Sequence, residues 1–244
     1  NILKETVRGI LHPVFNLHIP ATYRSSSDSP NFQNIPIRDP FMGKIIRQGF
    51  IPRGGGMIGG LDYAGIELSM AGCNSRDPVL IDNFTTIHKT QAAKCYALPE
   101  EQVTKDIRYC GKNAFVFPQL YGSWYEQCAT NLMANINTMK LSNINAFSRH
   151  IEKVETEFWE TYHVHHKWKE GWIANYRKKG YIEMLTGFRC GGVLSKNQLL
   201  NYSNQGTAFH CLLWSIIQMN KWLKKYKKKS KIIWNIHDDM GMDI

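Results

Sequence analysis

Two aspartates lie where apolar segments end, and both could bind a metal ion. Asp62 follows the apolar run 57–61, and Asp238 lies between the apolar runs 231–236 and 240–244. A carboxylate beside aliphatic residues costs free energy unless a cation or hydrogen bonds satisfy it. Magnesium takes one or two carboxylates together with substrate phosphates, so two strand-end aspartates on one sheet would form a two-metal site. The alternative is a helix-capping Asp62 and a turn at 237–239 that is only polar.

Two cations in the middle of the chain could bind a triphosphate. Arg108 and Lys112 are four residues apart, which places them on one face of a helix. Phe117 and Tyr121 follow, and an aromatic ring beside these cations could stack on a nucleotide base. The alternative is a solvated basic face above an aromatic core stripe.

The elements that must position the two aspartates are short strands. The run 57–61 predicts a buried strand that closes at Asp62, with a helix starting near Ile66. The runs 231–236 and 240–244 predict a tight hairpin. We expect three polar residues at the tip of this hairpin: His237, Asp238 and Asp239.

Most of the remaining chain has helical periodicity. The prolines and serines between residues 18 and 40 predict an ordered loop without regular secondary structure. A strand is expected near 179–187, before a glycine turn. Amphipathic helices, broken chiefly at Pro99 and Pro118, are predicted over 86–97, 101–139, 144–179 and 201–224.

The charge of the chain favours a polyanionic partner. Lysine and arginine outnumber aspartate and glutamate by 30 to 20 among 244 residues, a net charge of +10. Nucleic acid is the first choice, because phosphate contacts release counterions. No apolar run approaches the ~20 residues of a membrane-spanning helix, so no membrane partner is expected. The six cysteines form no C-x-x-C pair, which predicts reduced core residues.

Two other polar clusters could be either functional sites or ordinary solvated surface. The lysine-rich segment 224–231 could bind phosphates, but such runs are more often solvated faces. The histidines at 163, 165 and 166 could suggest a metal, but on a charged helix they are more typical of a solvated face.

The motifs occur in the order and at about the spacing found in family A DNA polymerases, the DNA polymerase I type. Residues 24–38 resemble the segment by which this family grips the primer-template, and 62–68 resemble its first palm motif. Residues 108–122 resemble the fingers helix, and 237–239 resemble the last palm motif. The resemblance covers nearly the whole chain.

This resemblance implies a role for each matching residue. By likeness to the family, Asp62 and Asp238 bind metal with the backbone carbonyl of Tyr63, and Glu67 excludes a ribose 2′-hydroxyl. The catalytic set is Asp62, Asp238, Lys112 and Arg108. The deoxynucleotide set is Tyr63, Glu67, Phe117 and Tyr121. The DNA-binding set is Arg24, Asn31, Gln33, Asn34, Asn201, Gln205 and His237.

The resemblance also implies a fold and a division of the chain. The expected class is α+β, with an antiparallel β-sheet palm and a largely α-helical fingers subdomain. Palm is expected over 1–85, fingers over 86–175 and palm again over 176–244. A thumb and a 3′–5′ exonuclease are expected to lie outside this chain, on further polymerase segments or chains.

The implied activity is template-directed DNA synthesis at a primer 3′-hydroxyl. It requires primer-template DNA, deoxynucleoside triphosphates and two Mg²⁺ ions, for which Mn²⁺ can substitute. The expected location is the cytoplasm of a bacterial or phage-infected cell. A non-catalytic primer-template-binding module is the alternative from another class, and the retained metal ligands argue against it. A single-subunit RNA polymerase is disfavoured by Glu67.

The chain departs from the family pattern inside the fingers helix. Eight residues separate Lys112 from Tyr121 where seven are usual, and Pro118 is among them. A regular helix advances ~100° per residue and would turn Tyr121 away from the cationic face, whereas one π-type bulge near Pro118 would restore it. We therefore expect Phe117 to be the base-stacking ring, with Phe115 as the competitor. Asp239 also replaces the usual Glu of the last motif.

Overall fold

The computed structural model describes residues 2–35, 41–135 and 144–244. Two prolines of the predicted loop over 18–40, Pro36 and Pro40, lie outside these ranges. The predicted helix end near Met139 also lies outside them. The α-helices are α1 (Met42–Gln48), α2 (Ile66–Ser75), α3 (Pro78–Asn83), α4 (Ile87–Tyr96), α5 (Lys105–Gly111), α6 (Phe117–Leu120), α7 (Tyr125–Asn135), α8 (Ile144–Thr161), α9 (His163–Lys179) and α10 (Lys196–Lys225). The strands are β1 (Thr6–Val7), β2 (Ile10–Leu11), β3 (Val14–Asn16), β4 (Ser26–Asp28), β5 (Ile58–Asp62), β6 (Tyr181–Glu183), β7 (Arg189–Gly191), β8 (Lys231–Ile236) and β9 (Asp239–Asp243).

The chain forms two compact units, and the fold is of the expected α+β class. The first, here called the sheet unit, consists of Asn1–Ile66 and Gln205–Ile244. The second, the helical unit, is Glu67–Asn204. The predicted palm and fingers borders, at 85 and 175, refer to functional subdomains and stay a prediction. Among the described residues, none of the helices is both long and apolar enough to cross a membrane.

The sheet unit is built around the antiparallel sheet β5-β9-β8. As predicted, β5 ends at Asp62, and β8 and β9 form a hairpin. A cluster of buried apolar side chains from α10 and β9 forms part of the core of this unit: Phe209, Leu212, Leu223, Met240 and Met242.

An aromatic cluster holds the segment before α1 against the sheet. The Phe32 ring lies 5.2 Å from Phe50 and 5.6 Å from Trp234, centroid to centroid. The Trp234 indole in turn covers Gly241 so closely that a Cβ there would lie 2.0 Å from a ring carbon. Glycine is therefore required at 241, since any side chain would displace Trp234 from the sheet.

The helical unit has the larger apolar core. Helix α4 packs against α5, and α7 packs against α8. The largest fully buried side chains in this core include Phe115, Phe158, Leu120, Leu132 and Ile151. The Phe115 and Phe158 rings meet edge to face at 5.6 Å.

A π-helical turn, Lys112–Val116, connects α5 to α6 and confirms the predicted bulge. Pro118 lies in the first turn of α6, a position where the fixed φ of proline is tolerated. The helical segment is instead interrupted beyond α6, where Gly122 adopts φ +96°. That left-handed conformation favours glycine over other residues.

Several element boundaries differ from those predicted. Helix α10 begins at Lys196, five residues before the predicted start, because Ser195 and Gln198 form a capping box. The Ser195 N–H donates to Gln198 Oε1 at 2.8 Å, and the Gln198 N–H donates to Ser195 Oγ at 3.3 Å. The segment predicted as a loop over 18–40 contains β4 and a 3₁₀ turn, Phe32–Asn34. The predicted helix over 144–179 is divided at Tyr162.

Candidate active site

The two candidate metal ligands lie at the same end of the β5-β9-β8 sheet. Asp62 is the last residue of β5 and pairs with Asp239, the first residue of β9. Ile236 also pairs with Asp239, so His237 and Asp238 form the two-residue turn between β8 and β9. His237 has φ +58°, as the first residue of such a tight hairpin turn requires. Neighbouring strands lie about 5 Å apart, so this register brings Asp62 and the Asp238 turn side by side.

The donor set at this end of the sheet suits a hard divalent cation. Asp62 is exposed and Asp238 is half-buried, so both carboxylates are accessible. The described residues contain no group of three or more His, Cys, Asp or Glu side chains arranged to hold a metal. Two carboxylates without further side-chain ligands fit Mg²⁺, which completes its shell with water and substrate phosphates.

His237 and Arg24 interact beside Asp238. Partial desolvation of the imidazole and then the Arg24 guanidinium lower the pKa of His237, whereas the Asp238 carboxylate raises it. The structure thus brings together three predicted site residues from the start and the end of the chain.

The predicted DNA-binding residues of the first segment have different environments. Asn31 and Asn34 are exposed at the two ends of the 3₁₀ turn. Gln33 is half-buried, and its side-chain amide donates to Ser25 Oγ at 2.7 Å and to the Asn235 carbonyl at 3.3 Å. The Gln33 N–H₂ group is therefore used within the protein to attach this turn to β8.

Tyr63 and two polar residues of α10 are the next predicted site residues. The Tyr63 hydroxyl and Ser215 Oγ are 2.6 Å apart, which connects the turn after β5 to α10. Asn201 and Gln205 are half-buried and lie one turn apart on α10. The Asn201 side-chain oxygen is buried and accepts no hydrogen bond from the described residues.

In the helical unit, four predicted nucleotide-binding residues adjoin the π turn. The Lys112 ammonium lies 5.3 Å from the centre of the Phe117 ring. The rings of Phe117 and Tyr121 are parallel, with centroids 5.8 Å apart. Arg108 is exposed one turn before Lys112. The widened turn thus keeps Phe117 beside Lys112, as expected of a π bulge.

Phe115 and Phe117 have contrasting environments. Phe115 is completely buried in the helical core against Phe158, whereas Phe117 is half-buried. Of these two rings, only Phe117 is accessible to a ligand, which favours Phe117 over Phe115 as the base-stacking ring.

Glu67 and Tyr121 form a direct contact in the helical unit. The Tyr121 hydroxyl donates to Glu67 Oε2 at 3.0 Å. Glu67 lies at the start of α2, and Tyr121 follows α6. The proposed sugar-gate carboxylate is therefore held by a residue of the proposed nucleotide face.

His88 is a residue that spacing alone did not reveal. Its side chain is 3% exposed, and its ring meets the Phe117 ring edge to face at 5.5 Å. Burial, followed by Lys112 and Arg108, lowers the pKa of His88 to about 3. A neutral imidazole thus lies next to both cations. No sequence pattern within α4 distinguishes His88, because its position beside these cations depends on the packing of α4 against α5.

Lys169 is a second residue that the sequence did not mark. Its ammonium donates to the Gln119 carbonyl at 2.7 Å and lies 4.1 Å from the centre of the Trp159 ring. The Trp159 indole N–H donates to Gln119 Oε1 at 2.9 Å. Burial is the largest cause that lowers the pKa of Lys169 to about 7. This buried network holds the last turn of α6, next to Tyr121.

The histidines at the start of α9 do not all lie on a solvated face. His163 and His166 are exposed, but His165 is 1% exposed and stacks on Trp168, with ring centroids 5.2 Å apart. Its backbone N–H donates to Asp77 Oδ2 at 2.9 Å. Burial lowers the pKa of His165 to about 3. The prediction of a solvated face was therefore wrong for His165, which belongs to the core.

Comparisons with known proteins identify the family of the chain. The chain is 26% identical over 250 residues to DNA polymerase I of Pseudomonas aeruginosa, covering 97% of this chain and 26% of that protein. It is 33% identical over 184 residues to the thermostable DNA polymerase I of Thermus aquaticus, covering 74% of this chain and 20% of that protein. A DNA polymerase of Bacillus phage SP01 is 26% identical over 255 residues, covering 96% of this chain and 27% of that protein. The chain thus spans about a quarter of the length of the first of these relatives.

A solved structure shares the fold over the full chain. It is the POL domain of Pol1 from M. smegmatis in complex with DNA primer-template and dNTP, with a TM-score of 0.83 and 25% sequence identity. The match covers 100% of this chain and 43% of that one. The family model for DNA polymerase family A matches residues 1–244. This chain therefore belongs to DNA polymerase family A.

Proposed function

We propose that this chain catalyses template-directed DNA synthesis, adding deoxynucleoside triphosphates to a primer 3′-hydroxyl. The observation that carries the proposal is the strand register that places Asp62 beside the His237-Asp238 turn at one end of the sheet. Two accessible carboxylates side by side at a strand end repel each other unless a cation lies between them. They are suited to a metal-dependent reaction, and the polymerases of this family depend on metal ions.

The carboxylates of Asp62 and Asp238, with the backbone carbonyl of Tyr63, are proposed to hold two Mg²⁺ ions, for which Mn²⁺ can substitute. When bound, these ions supply Lewis acidity that lowers the pKa of the primer 3′-hydroxyl and stabilise charge on the phosphates. The protein forms no covalent bond with the substrate in this scheme, so its residues act by positioning and electrostatics.

The cationic face of the helical unit is proposed to bind the triphosphate. Arg108 and Lys112 neutralise phosphate charge, and Lys112 also stabilises the leaving pyrophosphate. The neutral His88 imidazole next to them is buried and adds no third positive charge to this face. Phe117 and Tyr121 are proposed to contact the base.

Glu67 is proposed to exclude ribonucleotides. Its hydrogen bond from Tyr121 limits the positions that its carboxylate can adopt. A carboxylate fixed near the sugar would clash with a 2′-hydroxyl, which is discrimination by an unfavourable contact with the wrong substrate. This residue is the reason for preferring DNA synthesis over RNA synthesis.

The remaining polar residues are proposed to bind the primer-template. Exposed Asn31 and Asn34 suit direct contacts, whereas Gln33 mainly holds their turn on β8. His237 is proposed to lie near the primer terminus. The other proposed contacts to the duplex come from Arg24, Asn201 and Gln205.

The proposed subdomains are palm over 1–85 and 176–244 and fingers over 86–175. The relatives are three to five times longer than the matched region, which supports further polymerase segments such as a thumb and an exonuclease. Their bacterial and phage sources support a location in the cytoplasm of a bacterial or phage-infected cell.

Two measurements on the chain test the proposal. The first is Mn²⁺ binding by electron paramagnetic resonance, and the second is extension of a labelled primer with each nucleotide type. We expect Asp62→Asn to lose Mn²⁺ binding and extension while retaining primer-template affinity.

The control is Asp82→Asn, which removes an exposed carboxylate from α3. It should change neither measurement. If the wild-type chain binds primer-template as tightly as Asp62→Asn but neither binds Mn²⁺ nor extends the primer, the chain is a binding module and not an enzyme.

A further inference from the structure

A second concentration of positive charge lies where α10 ends and β8 begins. Seven of the eleven residues from 221 to 231 are lysines, and no aspartate or glutamate occurs between Met184 and His237. We call residues 221–231 the lysine-aromatic patch. Its lysines are all exposed: Lys221, Lys224, Lys225, Lys227, Lys228, Lys229 and Lys231.

Two aromatic rings are exposed among these lysines. Trp222 is 48% and Tyr226 is 52% exposed, and their ring centroids are 5.2 Å apart at an interplanar angle of 46°. Lys228 Nζ lies 5.8 Å from the Trp222 ring centre, and Lys225 Nζ lies 5.3 Å from that of Tyr226. Each ring therefore carries an ammonium group on one side and retains accessible surface.

The backbone of the patch is held in one shape by contacts within the sheet unit. The buried Leu223 anchors the last turn of α10, and its carbonyl accepts the Lys228 N–H at 2.9 Å. Arg53 donates to the Lys229 carbonyl at 2.8 Å and forms an ion pair with Asp243 on β9. The patch is thus a fixed surface, and its cations are not carried on a loose tail.

A structural role explains only part of this composition. Lysines in the last turn of a helix interact favourably with the helix dipole and the terminal carbonyls, which accounts for Lys224 and Lys225. The effect fades within one turn, so it does not account for the lysines from 227 to 231. It also gives no reason to expose Trp222 and Tyr226, which forgo hydrophobic stabilisation by facing water.

The patch is remote from the carboxylates within the same sheet. Lys231 begins β8, and Ile236 ends it immediately before the His237-Asp238 turn. At ~3.3 Å per residue, the two ends of this strand are about 17 Å apart. A ligand at the patch would occupy a position separate from the proposed metal ligands.

We propose that the lysine-aromatic patch binds single-stranded nucleic acid. Lysines attract phosphates, and exposed aromatic rings stack on unpaired bases without regard to sequence. Duplex DNA would use the lysines but not the rings, because its bases are already stacked. The proposal does not depend on the proposed catalysis, since the patch shares no residue with the candidate active site.

An anionic membrane surface would match the charge but not the shape of the patch. Binding within a bilayer interface requires an apolar helix face that enters the headgroup region. The only aliphatic side chain of the patch is Leu223, which is buried in the core. The exposed apolar surface of the patch is confined to the two rings, each with a lysine against it.

The test measures fluorescence anisotropy of a labelled oligothymidylate of about 12 nucleotides, a length within the usual site sizes. The chain is first saturated with an unlabelled hairpin primer-template that has a one-nucleotide overhang, so that the candidate active site is filled. The double variant Trp222→Ala/Tyr226→Ala should weaken oligothymidylate binding at least about tenfold, because it removes both stacking rings.

Lysine variants give an independent measurement. Replacing Lys224, Lys225, Lys227 and Lys228 by glutamine should lower the slope of log affinity against log salt by about 0.7 for each phosphate that is no longer neutralised. The control for charge is Lys178→Gln/Lys179→Gln, in the last turn of α9, compared with the patch variant by the change in slope for each lysine removed. The matched control for an exposed ring is Trp214→Ala, since Trp214 is 63% exposed on α10.

The controls and the folding measurements decide the interpretation. All variants should keep the wild-type melting temperature and Mn²⁺ affinity, because the replaced side chains lie outside the core and the candidate active site. If the Trp222→Ala/Tyr226→Ala variant loses no more affinity than Trp214→Ala, the proposal is wrong. It is also wrong if the patch variants no longer bind phosphatidylserine-containing vesicles while oligothymidylate binding is unchanged, since the patch would then be a membrane surface.

Discussion

The sheet unit and the helical unit differ in how far their notable ionisable side chains are buried. In the sheet unit, Asp62 is exposed and Asp238 is half-buried at a strand end, outside the apolar cluster. In the helical unit, His88, His165 and Lys169 are buried, and burial lowers the pKa of each. Substitution of these carboxylates in the sheet unit should therefore change activity without changing stability. Substitution of the buried groups in the helical unit should change stability together with activity.

The largest expected effect tests the sheet unit. Asp238→Asn keeps the shape of the side chain but removes a proposed metal ligand, so primer extension should fall on the order of 10⁴-fold. The melting temperature should stay near that of the wild type, since Asp238 lies in a turn outside the core. Single-turnover extension and a thermal melt measure the two quantities. A large fall in melting temperature would remove the contrast between the units.

The next effect tests the two neighbouring rings of the helical unit. Phe115→Ala should lower the free energy of unfolding by about 3–5 kcal/mol, because the ring is completely buried. Phe117→Ala should cost less stability and should weaken nucleotide binding. Chemical denaturation and nucleotide titration of both variants distinguish these roles. Equal stability decreases would show that Phe117 is a core residue.

Discrimination against ribonucleotides should change by a smaller amount. Glu67→Ala removes the proposed clash and should raise ribonucleotide incorporation on the order of 10- to 100-fold. Tyr121→Phe removes only the hydrogen bond to Glu67, worth about 1 kcal/mol, so its effect should be about fivefold. The measurement is extension with matched deoxy- and ribonucleotides. Unchanged discrimination in Glu67→Ala would exclude the sugar-gate role.

A further prediction concerns stability alone, as a pH dependence that arises from Lys169. Its pKa is lowered from 10.5 to about 7 in the folded protein, so between these values the unfolded chain binds one more proton. Lys169 therefore destabilises the fold most below pH ~7, and this destabilisation decreases as pH rises. Relative to Lys169→Met, the free energy of unfolding of the wild type should rise by up to about 1.4 kcal/mol per pH unit.

Denaturant unfolding between about pH 7.5 and 9.5 measures this slope. The control is Lys167→Met, which replaces an exposed lysine of the same helix. If Lys169→Met and the wild type show parallel curves, Lys169 is not a buried titrating group.

The sequence predicted the elements that local patterns determine. Strand β5 follows from a short apolar run, and the β8-β9 hairpin from two strand-like runs joined by a short polar turn. The π turn follows from one extra residue in a family motif. Helix starts were less accurate, although the Ser195 and Gln198 capping box was visible in the sequence. The helical pattern was predicted to break at Pro118, but α6 includes this proline and the break lies at Gly122. Proline is tolerated in a first helical turn, so its presence did not mark the end of the helix.

The buried polar residues could not be predicted from local patterns. His88 and Lys169 lie on amphipathic helices where a histidine or a lysine is usually solvated. Their burial depends on contacts with Phe117 and Gln119, which are distant from them along the chain. Charge patterning indicates only which residues could face water, not which face is covered by another helix.

The π turn at Lys112–Val116 also indicates where this helical segment can gain or lose one residue. An added residue would rotate the rest of an ordinary helix by ~100°, but the widened turn contains it locally. Deleting one residue there, such as the exposed Asn113, would leave the usual seven positions between the lysine and Tyr121. Alignments of this chain with its relatives should therefore place the single-residue gap within 112–116 and not at the conspicuous proline.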